Sequence, residues 1–148
     1  MHIWIDADAC PVAVKEILFR AAVRETTGLT LVANQALTTP PVAWIKSIRV
    51  GGELDAADKK IVSLLSPGDL VITSDIPLAD EVISKQGKVL SPRGEHLTRE
   101  NIKARLNMRD FMDTLRGSGI ATGGPPALTL RDRKRFADNL DRLLTKSA

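Results

Sequence analysis

Three groups of side chains in the first ninety residues have the types and spacing to act together: Asp6 and Asp8; Asp55 and Asp58; and Thr73, Ser74 and Asp75. The first group ends the apolar run Ile3-Trp4-Ile5, and the third follows Leu70-Val71-Ile72. The second is spaced i, i+3, which puts both acids on one face of a helix. Asp58 there falls within the apolar stripe of Leu54, Ile61 and Leu65. An ionised Asp facing a core is costly unless it is paired or bound to a metal. Each acid also has a local explanation. Asp8, Ser74 or Asp75 can cap the helix that follows it, and Asp58 can pair with Lys59, Lys60 or a distant arginine. Taken together, acids from two strand ends and one helix at the same end of a sheet make a negative pocket that needs cations. All-oxygen ligation of this kind suits Mg²⁺ or Mn²⁺. Such ions activate water and stabilise the leaving oxygen at a phosphodiester. His2 and His96 lie far apart in sequence and Cys10 is the single cysteine, so a Ser-His-Asp arrangement or a zinc site has little support.

The elements that must position these acids follow from the hydrophobic pattern. Short β-branched runs at His2–Ile5, Leu29–Ala33, Ser47–Val50, Leu70–Thr73 and Lys88–Leu90 predict about five strands covered on both faces. Between them, Pro11–Thr26, Leu54–Leu65 and Pro77–Gln86 read as helices, the first ended by Gly28. Thr38–Ile45 reads as a loop or short irregular helix. This β-α-β alternation predicts a parallel α/β sheet whose ligands sit beyond the strand carboxyl ends, where strand order reverses. After residue 92 the pattern turns helical. Thr98 caps a helix to about Arg116, Gly117–Ala127 reads as a flexible loop, and Thr129 with Asp132 resembles a capping box before a last helix. The expectation is a single domain over 1–148: a core at 1–92, and a strandless helical extension at 93–148 packed on it.

Composition narrows the partners. No apolar run is long enough to span a membrane and no secretory leader is visible, so a cytoplasmic protein is expected. Residues 1–90 carry nine Lys/Arg against eleven Asp/Glu, whereas 91–148 carry twelve against seven. A basic second part suits a polyanion such as nucleic acid, and a solvated helix face explains it equally well. Arg93, Arg109 and the Arg131–Arg135 cluster are the candidates to hold phosphate, and Asn34 beyond the second strand can reach the crevice. Tyrosine is absent and other aromatics are few, which favours an electrostatic grip over base stacking. A homo-oligomer is left open.

The motifs DADACPV, VANQ, DAAD, GDLVITSDIPLA, SPRGE, MRDFMD and GGPP, in that order over nearly the whole chain, resemble the YaiI/YqxD family of uncharacterised bacterial proteins. That family is similar to the PIN-like superfamily, mostly metal-dependent ribonucleases. The resemblance implies a PIN-like sheet, a Mg²⁺ or Mn²⁺ cofactor and an RNA substrate. It matches Asp6 to the first-strand acid, Asp55 or Asp58 to the helix acid, and Thr73 with Asp75 to the acid after the fourth strand. Asp8 and Asp80 would be further ligands or supports. The DxDACP motif and the helical C-terminal part depart from an ordinary PIN domain.

Three rivals stand beside this reading. A haloacid-dehalogenase-type phosphatase would use Asp6 as nucleophile, Asp8 as acid/base, and Thr73 or Ser74 on the phosphate. Cys10 near a helix start could be a reactive thiol, although a buried filler beside Pro11 is the simpler account. The basic residues could serve a nucleic-acid-binding protein without turnover.

Overall fold

A computed structural model describes the backbone of residues 1–53, 55–117 and 127–146, and the side chains of 1–53, 55–108 and 127–145. In chain order the elements are β1 (Ile3–Asp6), a single 3₁₀ turn (Ala7–Ala9), α1 (Val12–Glu25), β2 (Leu29–Ala33), β3 (Ile45–Arg49), α2 (Ala56–Leu64) and β4 (Leu70–Ile72). There follow α3 (Ile76–Ser84), β5 (Lys88–Leu90), β6 (His96–Leu97), α4 (Arg99–Gly117) and α5 (Leu130–Lys146). The strands form one sheet in the order β3-β2-β1-β4-β5-β6. Every pairing is parallel except β5 with β6.

Helices cover both faces of the sheet, so its central strands are apolar at consecutive positions, and alternate residues feed two separate cores. Ile3 and Ile5 join Leu29, Leu31, Leu70, Ile72 and Leu90 against α1 and α5. Trp4 joins Val32, Val71 and Val89 against α2, α3 and α4. Each fully buried Leu, Ile or Val contributes about 1.5–3 kcal/mol over leaving it in water, so these two layers fix the sheet between its helices. At the rim, β3 exposes Lys46, Ser47 and Arg49; charged side chains keep an edge strand from pairing with another chain.

Several expectations are corrected. The part beyond residue 92 is not strandless, because β6 adds an antiparallel sixth strand through the turn Ser91–Glu95. Its two helices meet opposite faces of the sheet. Ile102 of α4 packs on the α2/α3 face, while Phe136, Leu140 and Leu143 of α5 pack on the α1 face. The third strand starts two residues early, at Ile45, where Ile45 is buried against the first core. Gly28 does not end α1; Thr26 does so in the left-handed region at φ 49°. Gly28 is needed instead for close packing, since a Cβ there would lie 2.5 Å from His2 Nδ1. The expected loop Gly117–Ala127, the motif GGPP, Leu54 and the side chain of Arg109 lie outside the described residues, apart from the end of α4 at Gly117 and Ala127. Among the described residues, no helix is long and apolar enough to cross a membrane.

Candidate functional site

Strand order reverses between β1 and β4, and both strands end in the acidic motifs. In such sheets the chains leave in opposite directions at this point and open a crevice at the carboxyl edge. Asp6 follows Ile5 at the end of β1, so alternation turns it to the face of Trp4, toward α2 and α3. Thr73, just past β4, has the same parity as Val71 and is buried. Its Oγ1 donates to Asp6 Oδ2 at 3.0 Å and accepts from the Asp75 amide at 3.0 Å. One hydroxyl thus ties the two strand ends together.

Around this link a cleft of about 200 Å³ opens, lined by six carboxylates: Asp6, Asp8, Glu53, Asp55, Asp58 and Asp75. They come from β1, the 3₁₀ turn after it, the β3–α2 connection, α2 and the β4–α3 junction. Among the described residues the lining holds no Lys or Arg. Lys59 lines an adjoining cavity of about 230 Å³ with Asp55, Asp58 and Asp75. No ion pair joins Lys59 or Lys60 to Asp58 among the described residues.

The electrostatics are those of crowded acids. Burial pushes the Asp6 carboxyl above its ordinary value; the Thr73 hydroxyl counters this, and Asp75 and Asp8 add to it. Asp58 is pushed up to about 7, first by burial, then by the charges of Asp75 and Asp6, a hydrogen bond to Asp75 and the charge of Asp55. Asp58 therefore keeps its proton to a higher pH than an ordinary carboxyl, beside the charge of Asp75. Asp75 does more than this. Its Oδ1 accepts from the Leu78 amide at 3.0 Å, capping α3, so the local explanation for this acid is correct yet incomplete. Asp8, exposed at the rim, accepts from the Asn34 amide at 2.9 Å rather than capping α1, which brings the end of β2 to the cleft. Asp55 occupies the left-handed region at φ 65° and precedes α2 without capping it by its side chain.

Of the residues expected here, Asp6, Asp8, Asn34, Asp55, Asp58 and Asp75 meet in the cleft, with Thr73 directly beneath. Ser74 points elsewhere, into a neighbouring cavity of about 280 Å³. Arg93 lies outside the acidic lining and pairs with Asp132 at 2.8 Å. Asp80 sits on α3 away from the lining. The Arg109 side chain lies outside the described residues. Glu53 was missed: it follows Gly51-Gly52 beyond a strand, a turn signal that carries no mark of an acid aimed at the crevice. Cys10 is buried, and burial raises its thiol to about 12, which makes it a filler rather than a nucleophile.

A hard dication fits the donor set by chemistry, since every donor is oxygen and one carboxyl already holds a proton that a cation would displace. The acids do not close on an ion as they stand. Among the described residues, no group of three or more His, Cys, Asp or Glu has metal-holding spacing.

Comparison with known proteins adds a lineage. Residues 4–146 match the family model described as "Uncharacterized BCR, YaiI/YqxD family". A UPF0178 protein of Thioalkalivibrio sulfidiphilus is 65% identical over 146 residues, covering 99% of each chain. One from Colwellia psychrerythraea is 60% identical over 99% of this chain and 97% of its own, and one from Shewanella amazonensis is 60% identical over 99% and 98%. No solved structure matches.

Proposed function

The chain belongs to the YaiI/YqxD family, and from that premise we propose that it is a Mg²⁺- or Mn²⁺-dependent nuclease that hydrolyses phosphodiesters of RNA. The observation that carries the reading is the set of six carboxylates on one cleft at the strand-order reversal, with no guanidinium bonded to them among the described residues. Structural acids of this number would ordinarily be paired off. Asp6, Asp58 and Asp75 would hold the cation, with Asp8 and Asp55 completing the set. The cation supplies Lewis acidity that activates water and neutralises charge on the phosphate. Thr73 keeps the Asp6 carboxylate oriented through its Oγ1. Asp58 is raised to about 7 without a cation, so a cation that takes it as a ligand would displace its proton and bind more tightly as pH rises through that value. A cavity of about 430 Å³ on α5, lined by Arg131, Lys134, Arg135 and Arg142 with Asp138 and Asn139, is basic on balance and supports a polyanionic substrate. The PIN-like likeness points the same way, as analogy.

The test is cleavage of end-labelled single-stranded RNA with Mn²⁺, beside thermal melting. Wild type should cleave and melt higher with Mn²⁺; Asp6→Asn should do neither. Asp75→Asn should keep the α3 cap, because Asn caps as well as Asp, and still lose cleavage. An equal Mn²⁺ shift in wild type and Asp6→Asn removes Asp6 from the ligand set. Phosphate release from small monoesters, with an acyl-phosphate on Asp6, would replace the nuclease with the phosphatase. RNA retention without cleavage under any divalent metal would leave only binding.

A further inference from the structure

The inner face of α5 is spent on the core, where Phe136, Leu140 and Leu143 are buried. On its outer face Arg131, Lys134, Arg135, Asp138 and Arg142 are exposed and line the cavity of about 430 Å³. Their spacing, i, i+3, i+4, i+7 and i+11, is that of one stripe along a helix. We propose that this stripe is a docking track for the backbone of an RNA strand, separate from the acidic cleft and independent of any divalent cation. The inference deepens the nuclease reading and rests on it only for the fate of the strand beyond the track.

Charge comes first. The acids of this helix already have cationic partners. Asp132 pairs with Arg93 at 2.8 Å, Asp141 with Arg24 at 2.9 Å, and Asp138 lies 3.6 Å from Lys134 Nζ. Arg131 and Arg135 have no carboxylate within ion-pair distance among the described residues. Arg142 donates to the neutral Asn139 Oδ1 at 3.2 Å. Three guanidinium groups on one stripe are left to an outside anion. From Arg131 to Arg142 the stripe runs about 16 Å at 1.5 Å per residue. That length spans about five phosphates of one strand at 3.4 Å each.

The surroundings choose among polyanions. A helix that binds a membrane surface lays an apolar face into it, and the apolar face of α5 is packed on the sheet. A nucleic-acid backbone needs only exposed cations. With no aromatic residue lining the stripe, the bases find no stacking platform, so the grip is on phosphate and indifferent to sequence.

The track is fixed to the edge that holds the acids. Arg93 and Gly94 lie in the turn that follows β5 at the carboxyl edge; Asp132 binds the first, and Asn139 Nδ2 donates to the second at its carbonyl oxygen at 2.6 Å. Farther along, Asp141 is bound to Arg24 in the last turn of α1, at the opposite edge. Arg131 and Arg135 therefore stand toward the carboxyl edge and Arg142 away from it. Because α5 lies on the α1 face and α2 with α3 on the other, a docked strand meets the acids only where it crosses that edge. A fragment that covers the track alone is held without reaching Asp58 and Asp75.

The test is fluorescence anisotropy of the full chain with a labelled 20-nucleotide oligouridylate in EDTA. The dissociation constant should rise about twentyfold between 50 and 200 mM salt, the change expected when three cations displace counterions from a single strand. Arg131→Gln with Arg135→Gln, both at exposed positions, should weaken binding and cut that rise to about threefold, with the melting temperature kept. Arg131→Lys with Arg135→Lys keeps the charge and should keep the salt dependence. No measurable binding, or an unchanged salt dependence in the glutamine variant, would overturn the proposal. Tighter binding to phosphatidylserine vesicles than to the RNA would assign the stripe to a membrane and overturn it as well. Since EDTA removes divalent cations, docking with these dependences by a chain that never cleaves RNA would defeat only the nuclease.

Discussion

Replacing Asp58 by Asn should stabilise the protein at pH 8 and leave it unchanged below pH 4. The carboxyl is raised from its ordinary 3.8 to about 7 in the folded chain. Between those values the folded state keeps a proton that the unfolded chain has released, so wild-type stability falls as pH rises through this window and levels off above it. Below the lower value both states are neutral, and Asn mimics them. A shift of about three pKa units sets a ceiling of about 4 kcal/mol. Asp58 is only partly buried, and solvent screening together with relaxation of Asp75 reduces this to about 1–2 kcal/mol. For a chain of this size that is about 2–8 °C in melting temperature. The assay is thermal unfolding of both proteins in EDTA from pH 3.5 to 8.5, read as the difference at each pH so that other titrations cancel. A difference that is flat with pH, or a variant that melts lower at pH 8, would refute the crowding argument and with it the raised Asp58 carboxyl.

Other perturbations probe the scaffold. At the opposite edge of the sheet Asp69 is buried, accepting from the His2 amide at 3.0 Å, Trp4 Nε1 at 3.1 Å and the Ser66 amide at 2.9 Å. Asp69→Ala orphans all three donors and should cost about 3 kcal/mol by urea denaturation, without altering the Mn²⁺ melting shift. Gly94 has φ +88°, and a Cβ there would sit 2.6 Å from Phe136 N and 2.8 Å from the Arg135 carbonyl carbon. Gly94→Ala should therefore lower stability by about 2 kcal/mol or more in the same assay, by forcing α5 off the turn before β6. The Cys10 thiol should react with an aromatic disulfide reagent only at the rate of unfolding, and fast labelling of the native protein would contradict its burial.

The alternation of apolar runs and amphipathic segments was enough to read five parallel strands and the helices between them, because buried strands and one-sided helices leave different periods in the sequence. It did not reveal β6. Two residues are too few to show a period, and His96-Leu97 pairs with β5 only because the turn after Ser91 reverses the chain. The separation of α4 and α5 was equally invisible, since each has an apolar stripe and nothing local says which sheet face it meets. At the site, Asp6, Asp58 and Asp75 stood out because each breaks an apolar pattern. Glu53 breaks none, and the turn away of Ser74 depends on a backbone direction that neighbouring residues do not encode. Arg93 looked available for phosphate because Asp132, which holds it, is 39 residues away.

The two-layer arrangement of the sheet makes the numbering of one acid matter. Odd positions of β1 meet one helical layer and even positions meet the other, so the sixth residue reaches the acids of α2 only by virtue of its parity. Deleting one residue from Ile3–Ile5 would keep the composition of the strand almost intact and bring this carboxylate round to the packed underside, among Val14 and Leu18. Such a frame slip would bury a charge on one side and leave an alanine facing the cleft on the other, a double penalty that no single substitution reproduces.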